Sequence, residues 1–173
     1  VKAFDAVPES LASFCEEMSS ALNVKVEPSS SPEDCVKDVD IIITMTTSRE
    51  PVLLGDWLQP GVHVNAAGSN HWIRREVDDN VITKADKIVV DSLADAKIEA
   101  GDLLYPIERG RLRWDQIHEL ASVVGGSIQG REGDDQITLF ESQGIAISDV
   151  AAAAFVYQKA KELGLGVDVP LEL

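Results

Sequence analysis

The residues best able to do chemistry are gathered in one stretch. Residues 62–76 read VHVNAAGSNHWIRRE: an apolar segment passes through small residues and arrives at amide, imidazole, indole, guanidinium and carboxylate groups. Asn65, Ala66, Ala67 and Gly68 offer a narrow ledge on which a flat ring can rest against the main chain. Asn70, His71, Arg74 and Arg75 then supply donors for anionic or amide groups. Taken singly, these residues also have ordinary readings. His71 suits a solvated loop, and Arg74, Arg75 and Glu76 suit the charged start of a helix. Trp72 suits a domain or subunit contact. Two other stretches carry chemistry. Asp5 closes the apolar segment VKAFD; an acid there accepts from both hydroxyls of an adenosine ribose and repels a 2′-phosphate, favouring NAD over NADP, and it equally suits the cap of a following helix. Residues 44–51, TMTTSREP, set small hydroxyl groups at a strand end where a cofactor can lie, or form a polar turn closed by Pro51. The phosphate-binding pattern G-x-G-x-x-G is absent from the sequence.

Positioning these groups requires strands that all end on one edge. VKAFD reads as a strand, and Pro8 with Leu11, Phe14, Cys15, Met18 and Leu22 at helical spacing predicts an amphipathic helix. VKVE at 24–27 predicts a second strand. A second helix follows, with Ser31 as N-cap, Pro32 in the first turn and Asp34 at the capping-box position. IIITM at 41–45, VHVNAA at 62–67 and KIVVD at 87–91 are β-branched and continuous, as strands covered on both faces should be. Residues 92–104 and 115–126 read as helices, 136–140 as a strand, and 147–164 as a long helix capped by Ser148 and stopped by Gly164. The run of four alanines in that last helix permits close packing. QGREGDDQ at 129–136 predicts a surface loop, and LGVDVPLEL at 165–173 is expected to leave the sheet. Strand and helix alternate at the spacing of an α/β fold, a mostly parallel sheet with flanking helices, whose ligands gather at the carboxyl ends of the strands.

Composition sets the outer bounds. The 173 residues carry 15 Lys and Arg against 30 Asp and Glu, a net charge of −15, which repels phosphate backbones and anionic lipid and argues against nucleic acid or membrane as partners. No apolar run reaches the ~20 residues of a membrane span, and no signal-peptide order opens the sequence. The expectation is an intracellular, cytoplasmic protein. Cys15 and Cys35 lie outside any metal-ligand spacing and are read as reduced thiols, with no metal site. The chain opens on Val1, already in strand pattern, so its beginning is expected to lie elsewhere.

Three stretches carry a resemblance: VHVNAAGSN with the following RRE and Asp, the preceding DIIITMTTSREPVL with WLQPG, and the downstream GRE with QITLFESQGIAISDVAAAAFVYQKA. Together they resemble the ornithine cyclodeaminase/mu-crystallin family over nearly the whole chain. The last is the most specific, because its order of strand, Phe, acid, Ser and Gly before an alanine-rich helix is hard to obtain from packing needs alone. The resemblance implies a homodimeric NAD-dependent protein with a Rossmann domain and a substrate and dimerisation domain. Only the later portion of that plan is matched; the first Rossmann strand, its glycine loop and the family's N-terminal Arg and Lys are not in this sequence, so the chain is expected to be an incomplete enzyme. Residues 1–150 would form a partial, Rossmann-like NAD-binding domain, and 151–173 a C-terminal helix and tail that return to the second domain.

By similarity Asp5 would take the ribose hydroxyls, Thr46 would lie along the cofactor, and Asn65, Ala66 and Ala67 would flank it. Arg74 matches a lysine near the cofactor in some members. Ser142 would approach the nicotinamide end, and Gln143 the substrate. The family reaction passes hydride from an amino acid to NAD, and in the cyclodeaminase branch closes a ring before the hydride returns. The aspartate that shuttles protons in that branch corresponds here to Asn70, which cannot ionise. Proton transfer would then come from His71 or from a group outside the chain. Mu-crystallin-like members, which reduce cyclic ketimines or bind ligands, also lack an acid there. Two readings stand: an NAD-linked oxidoreductase or deaminase of a small amino acid or cyclic imine, which is favoured, and a non-catalytic protein that binds a nucleotide or other small ligand.

Overall fold

The computed structural model describes residues 1–167 and 169. They divide into two compact units, Val1–Gln143 and Gly144–Leu173.

The first unit opens with β1 (Lys2–Ala3), α1 (Pro8–Leu22), β2 (Glu27–Pro28) and α2 (Pro32–Val36). β1 and β2 pair in parallel as a two-stranded sheet, Lys2 opposite Glu27. The VKAFD and VKVE segments thus supply shorter strands than their patterns suggest, the second displaced toward Pro28. Ser31 caps α2 as expected, its hydroxyl accepting from Asp34 N–H at 3.1 Å. Asp34 reaches back to Ser30 N–H at 3.2 Å, one residue before the position a capping box uses.

The remaining strands form one five-stranded, all-parallel sheet. They are β3 (Ile41–Thr44), β4 (His63–Ala66), β5 (Lys87–Val90), β6 (Ile117–Glu119) and β7 (Thr138–Glu141), in the order β3-β4-β7-β5-β6. The last strand in sequence is central. Its Glu141 stands opposite Ala66 of β4 and Val90 of β5, and these in turn stand opposite Thr44 of β3 and Glu119 of β6, which brings all five strand ends level. Val64, Val90 and Leu139 lie in the core with Val77, Val81, Ile82 and Leu103. The helices between strands are α3 (Asp79–Lys84), α4 (Leu93–Glu99), α5 (Gly101–Glu108) and α6 (Leu120–Val124). Asp78 caps α3 by accepting from Val81 N–H at 2.9 Å, and Ser92 caps α4 by accepting from Asp95 N–H at 3.2 Å.

Three elements differ from those expected. Residues 92–104 are two helices that break at Ala100, whose ψ of 86° leaves the helical region, and the second runs on through Pro106 to Glu108. The predicted helix 115–126 is interrupted by β6 at Ile117–Glu119, between a 3-10 turn at Trp114–Gln116 and the helix Leu120–Val124, because Ile117 is buried opposite Ile88; pairing with a formed sheet overrides a local helical pattern. β3 is open on one face, Ile41 and Ile43 being 61% and 66% exposed, where cover on both faces was expected. Gly68 and Gly101 each sit where a Cβ would strike main chain, that of Thr46 and of Arg74 respectively.

The second unit contains α7 (Ala146–Glu162). Its N-cap is Ile145, with no side-chain cap bond, so Ser148 lies inside the helix rather than capping it. Gly164 follows the helix end with φ of 66°, as a stop residue should. None of its residues is buried. In the predicted tail, residues 168 and 170–173 lie outside the described residues. Residues 129–136 form the expected loop. Both cysteines are free, and burial pushes the Cys35 thiol up. Among the described residues no helix is long and apolar enough to cross a membrane.

Candidate functional site

Three hydrogen bonds join neighbouring strand ends. Ala67 N–H donates to Thr44 O at 3.0 Å and Ser142 N–H to Ala66 O at 2.9 Å. Ser142 Oγ then donates to Asp91 Oδ2 at 2.9 Å. The exits of β3, β4, β7 and β5 therefore form one continuous edge, and Thr46, Ala66, Ala67, Ser142 and Gln143 all stand on it. Asp91 holds two consecutive residues there, since Gln143 N–H also reaches Oδ2, at 3.0 Å.

Beneath this edge lie three fully buried acids: Glu76, Asp102 and Glu141. Glu76 accepts from Thr44 Oγ1 at 2.9 Å, from Gly68 N–H at 2.7 Å and from Thr46 N–H. One carboxylate thus ties together the loops after β3 and β4, and a charged acceptor makes each of those bonds stronger than a neutral one would. Asp102, at the start of α5, accepts in turn from Glu76 N–H at 2.9 Å and Val77 N–H at 3.0 Å. Burial pushes its pKa up to about 6, against the lowering effect of these bonds and of Ser69. Glu141 is pushed well above the usual carboxylate range, first by burial and then by the charges of Asp102, Glu76 and Asp91. Among the described residues no group of three or more His, Cys, Asp or Glu side chains could hold a metal ion.

The other candidate residues are placed as follows. Asp5 is exposed beyond β1, and its Oδ1 accepts from Val7 N–H at 2.7 Å, a turn ahead of α1 whose N-cap is Val7 itself. It follows β1 of the two-stranded sheet, which among the described residues has no pairing with the five-stranded one. Thr46 Oγ1 accepts from Ser48 N–H at 3.2 Å. Ala66 belongs to the core; Asn65, one residue before it on β4, points to the opposite face and meets His63 Nε2 at 3.3 Å. Asn70 is exposed and its Oδ1 accepts from Arg74 Nη1 at 2.9 Å. Trp72 is 65% exposed and stacks on His71 at 5.8 Å.

The two consecutive arginines part company. Arg74 reaches Asn70, whereas Arg75 pairs with Asp79 at 2.8 Å and lies over the Tyr105 ring at 4.1 Å. A cavity of about 390 Å³ is lined there by Arg75, Asp79, Tyr105, Arg109 and Arg111, a cluster already joined by the Arg111–Asp79 pair at 2.7 Å. Glu76, for which the charged start of a helix was the alternative to a place in the site wall, is the buried anchor of the site. Asp102 stands outside every motif of the sequence, and Glu141, the acid between Phe140 and Ser142 in the most specific motif, is buried rather than exposed. The available signal was the period of two in TLFE, which puts Glu141 on the face of Leu139.

A parallel α/β sheet whose strand ends carry small, hydroxyl and amide residues over buried acids belongs to the Rossmann-like class of nucleotide-binding folds. More narrowly, the chain belongs to the ornithine cyclodeaminase/mu-crystallin family, whose model matches residues 1–164. It is 42% identical over 136 residues to a Δ1-pyrroline-2-carboxylate reductase of Bacillus cereus, covering 78% of this chain and 42% of that protein. Its structure resembles that of Thermococcus litoralis Δ1-pyrroline-2-carboxylate reductase in complex with NADH and L-proline, with TM-score 0.91, 38% identity, and 97% and 52% of the two chains covered. An archaeal alanine dehydrogenase dimer with bound NAD aligns with TM-score 0.86 and 31% identity, covering 99% of this chain and 52% of that one. The chain spans about half the length of the relatives it matches.

Proposed function

We propose that the chain is the later part of an NAD(H)-dependent oxidoreductase or deaminase that acts on a small amino acid or cyclic imine, in the manner of a cyclodeaminase or ketimine reductase. The observation that carries this reading is the single edge formed by Thr46, Ala66, Ala67, Ser142 and Gln143 and pinned from below by Glu76 and Asp91. Relatives bound to NADH or NAD share the fold.

The residues present fit part of the cofactor. Asp5, exposed at the end of β1, offers the ribose hydroxyls a carboxylate whose Oδ1 is already engaged by one N–H. Thr46, Asn65, Ala66, Ala67 and Arg74 would flank the dinucleotide, with Ser142 toward its nicotinamide and Gln143 toward the substrate. No glycine-rich loop is present in this sequence to hold the pyrophosphate. When bound, NAD would supply the hydride chemistry; the protein's groups orient and exclude water. Residues 1–150 are taken as the partial NAD-binding domain and 151–173 as the portion that packs on the substrate and dimerisation domain. A cytoplasmic homodimer completes the proposal.

The test is to titrate the complete protein with NADH and follow energy transfer from tryptophan, then to screen ornithine, alanine and cyclic imines by NADH absorbance. Saturable binding and turnover of one substrate class are expected. A second reading is a non-catalytic mu-crystallin-like binding protein: by resemblance Asn70 would take the position of the cyclodeaminase branch's acid, and the observation that supports this reading is that its amide Oδ1 is engaged by Arg74. NADH bound without turnover would select it, and absence of NADH binding would reject the NAD-linked reading altogether.

A further inference from the structure

Glu141 ends β7 with its side chain wholly withdrawn from solvent. Gln143, two residues on, is 8% exposed, and its Nε2 donates to Glu141 Oε1 at 3.4 Å. Glu141 Oε2 and Gln143 Oε1 are left buried with no hydrogen-bond partner among the described residues. If the carboxyl is ionised, both oxygens are acceptors only, and neither can serve the other. Turning the amide over brings no relief, since it sets the amide oxygen against the carboxyl and leaves Nε2 without its bond. Three other carboxyl groups face this one: Asp102 from α5, Glu76 from the loop before α3, and Asp91 from the end of β5. Glu76 and Asp91 each accept from backbone N–H and hydroxyl donors, and Asp102 accepts from two backbone N–H groups. Among the described residues Glu141 has only the long contact from Gln143, so a proton is held there at the lowest cost.

We propose that Glu141 is a positioning residue that carries a proton at neutral pH, donating Oε2–H to Gln143 Oε1 while Gln143 Nε2 donates back to Glu141 Oε1. One hydrogen then serves both leftover oxygens. The closed pair of bonds fixes which way the Gln143 amide faces, while Asp91 holds the adjacent main chain. Its consequence for a substrate rests on the function proposed above; the proton itself does not.

The experiment uses the 173-residue chain labelled with ¹³C at glutamate side-chain carboxyl carbons and needs no cofactor, so its failure is separable from a failure of NADH binding. A single glutamate signal is expected to remain in the protonated position at about pH 7. Glu141→Gln should abolish that signal yet keep the melting temperature, because the amide offers the same donor and acceptor, and Glu141→Ala should lower it. Should Glu141→Gln fail to fold, the titration of the unsubstituted chain decides alone. If every glutamate is ionised at about pH 7, the proposal is overturned. It is also overturned if potassium or ammonium chloride raises the melting temperature above that in tetramethylammonium chloride at equal ionic strength, since a bound cation would then fill the proton's place.

Discussion

Asn70 poses the main chemical question, because its amide can hold a hydrogen-bonded group yet cannot move a proton. Asn70→Asp would set a carboxylate beside the Arg74 guanidinium that now donates to Asn70 at 2.9 Å, a neighbour that favours the ionised, proton-accepting form. In the complete protein this substitution is expected to confer or raise ring-forming deamination of ornithine, measured as proline produced; an unchanged product would count against the role given to position 70. Asp102 supports a prediction about stability. Its folded pKa of about 6 lies above the ordinary 3.8, so folding favours the protonated form. That contribution is complete below about pH 4 and is lost as the pH rises through about 6. Two pKa units correspond to roughly 3 kcal/mol. Urea unfolding should therefore show a fall from about pH 4 to 7 that is smaller by about this amount in Asp102→Asn; the same fall in the variant would clear Asp102 of responsibility. Such burial was not legible in the sequence. Arg74, Arg75 and Glu76 suit the charged start of a helix as well as a site wall, and only the folded chain shows that Glu76 passes inward while Arg74 and Arg75 turn to different partners.

At the scale of elements, the sequence was most informative where packing and local pattern agree. IIIT, HVNA and KIVV are strands, and Ser31 caps its helix. The disagreements arise where a distant partner decides. Ile117 joins β5 although its surroundings have helical spacing, and a helix breaks at Ala100 where Gly101 passes against the main chain of Arg74. Strand order was equally hidden, since nothing local says that residues 138–141 enter the middle of the sheet. That central position makes a quantitative prediction. Leu139 is 1% exposed, so Leu139→Ala should cost about 2–5 kcal/mol of unfolding free energy. Ile41, on the open face of β3, should cost under about 1 kcal/mol when truncated. Comparable losses in denaturant unfolding would contradict the assigned order. Gly68→Ala should also destabilise, by about 1–3 kcal/mol or more, because its Cβ would strike Thr46 main chain and the Glu76 carboxyl. The accompanying loss of NADH affinity in the complete protein would tie that loop to the strand-end site.

For the whole molecule, two features oppose each other. A net charge of −15 keeps copies of the chain apart. The unit Gly144–Leu173 nevertheless carries a helix with no buried residue, on which Val150, Phe155, Val156 and Tyr157 are 68%, 66%, 62% and 59% exposed. Apolar surface of this kind marks a contact, in keeping with the homodimer proposed. β3 offers a rival surface through Ile41, Ile43 and Met45, 61%, 66% and 74% exposed. Truncation separates the two, because Val1–Gln143 holds the five-stranded sheet and its core. A chain ending at Gln143 is expected to unfold cooperatively and to sediment as a monomer, whereas the 173-residue chain self-associates. The association should strengthen with salt as charge repulsion is screened. If the truncated chain associates equally well, the contact lies on β3, and α7 is not where the two copies meet.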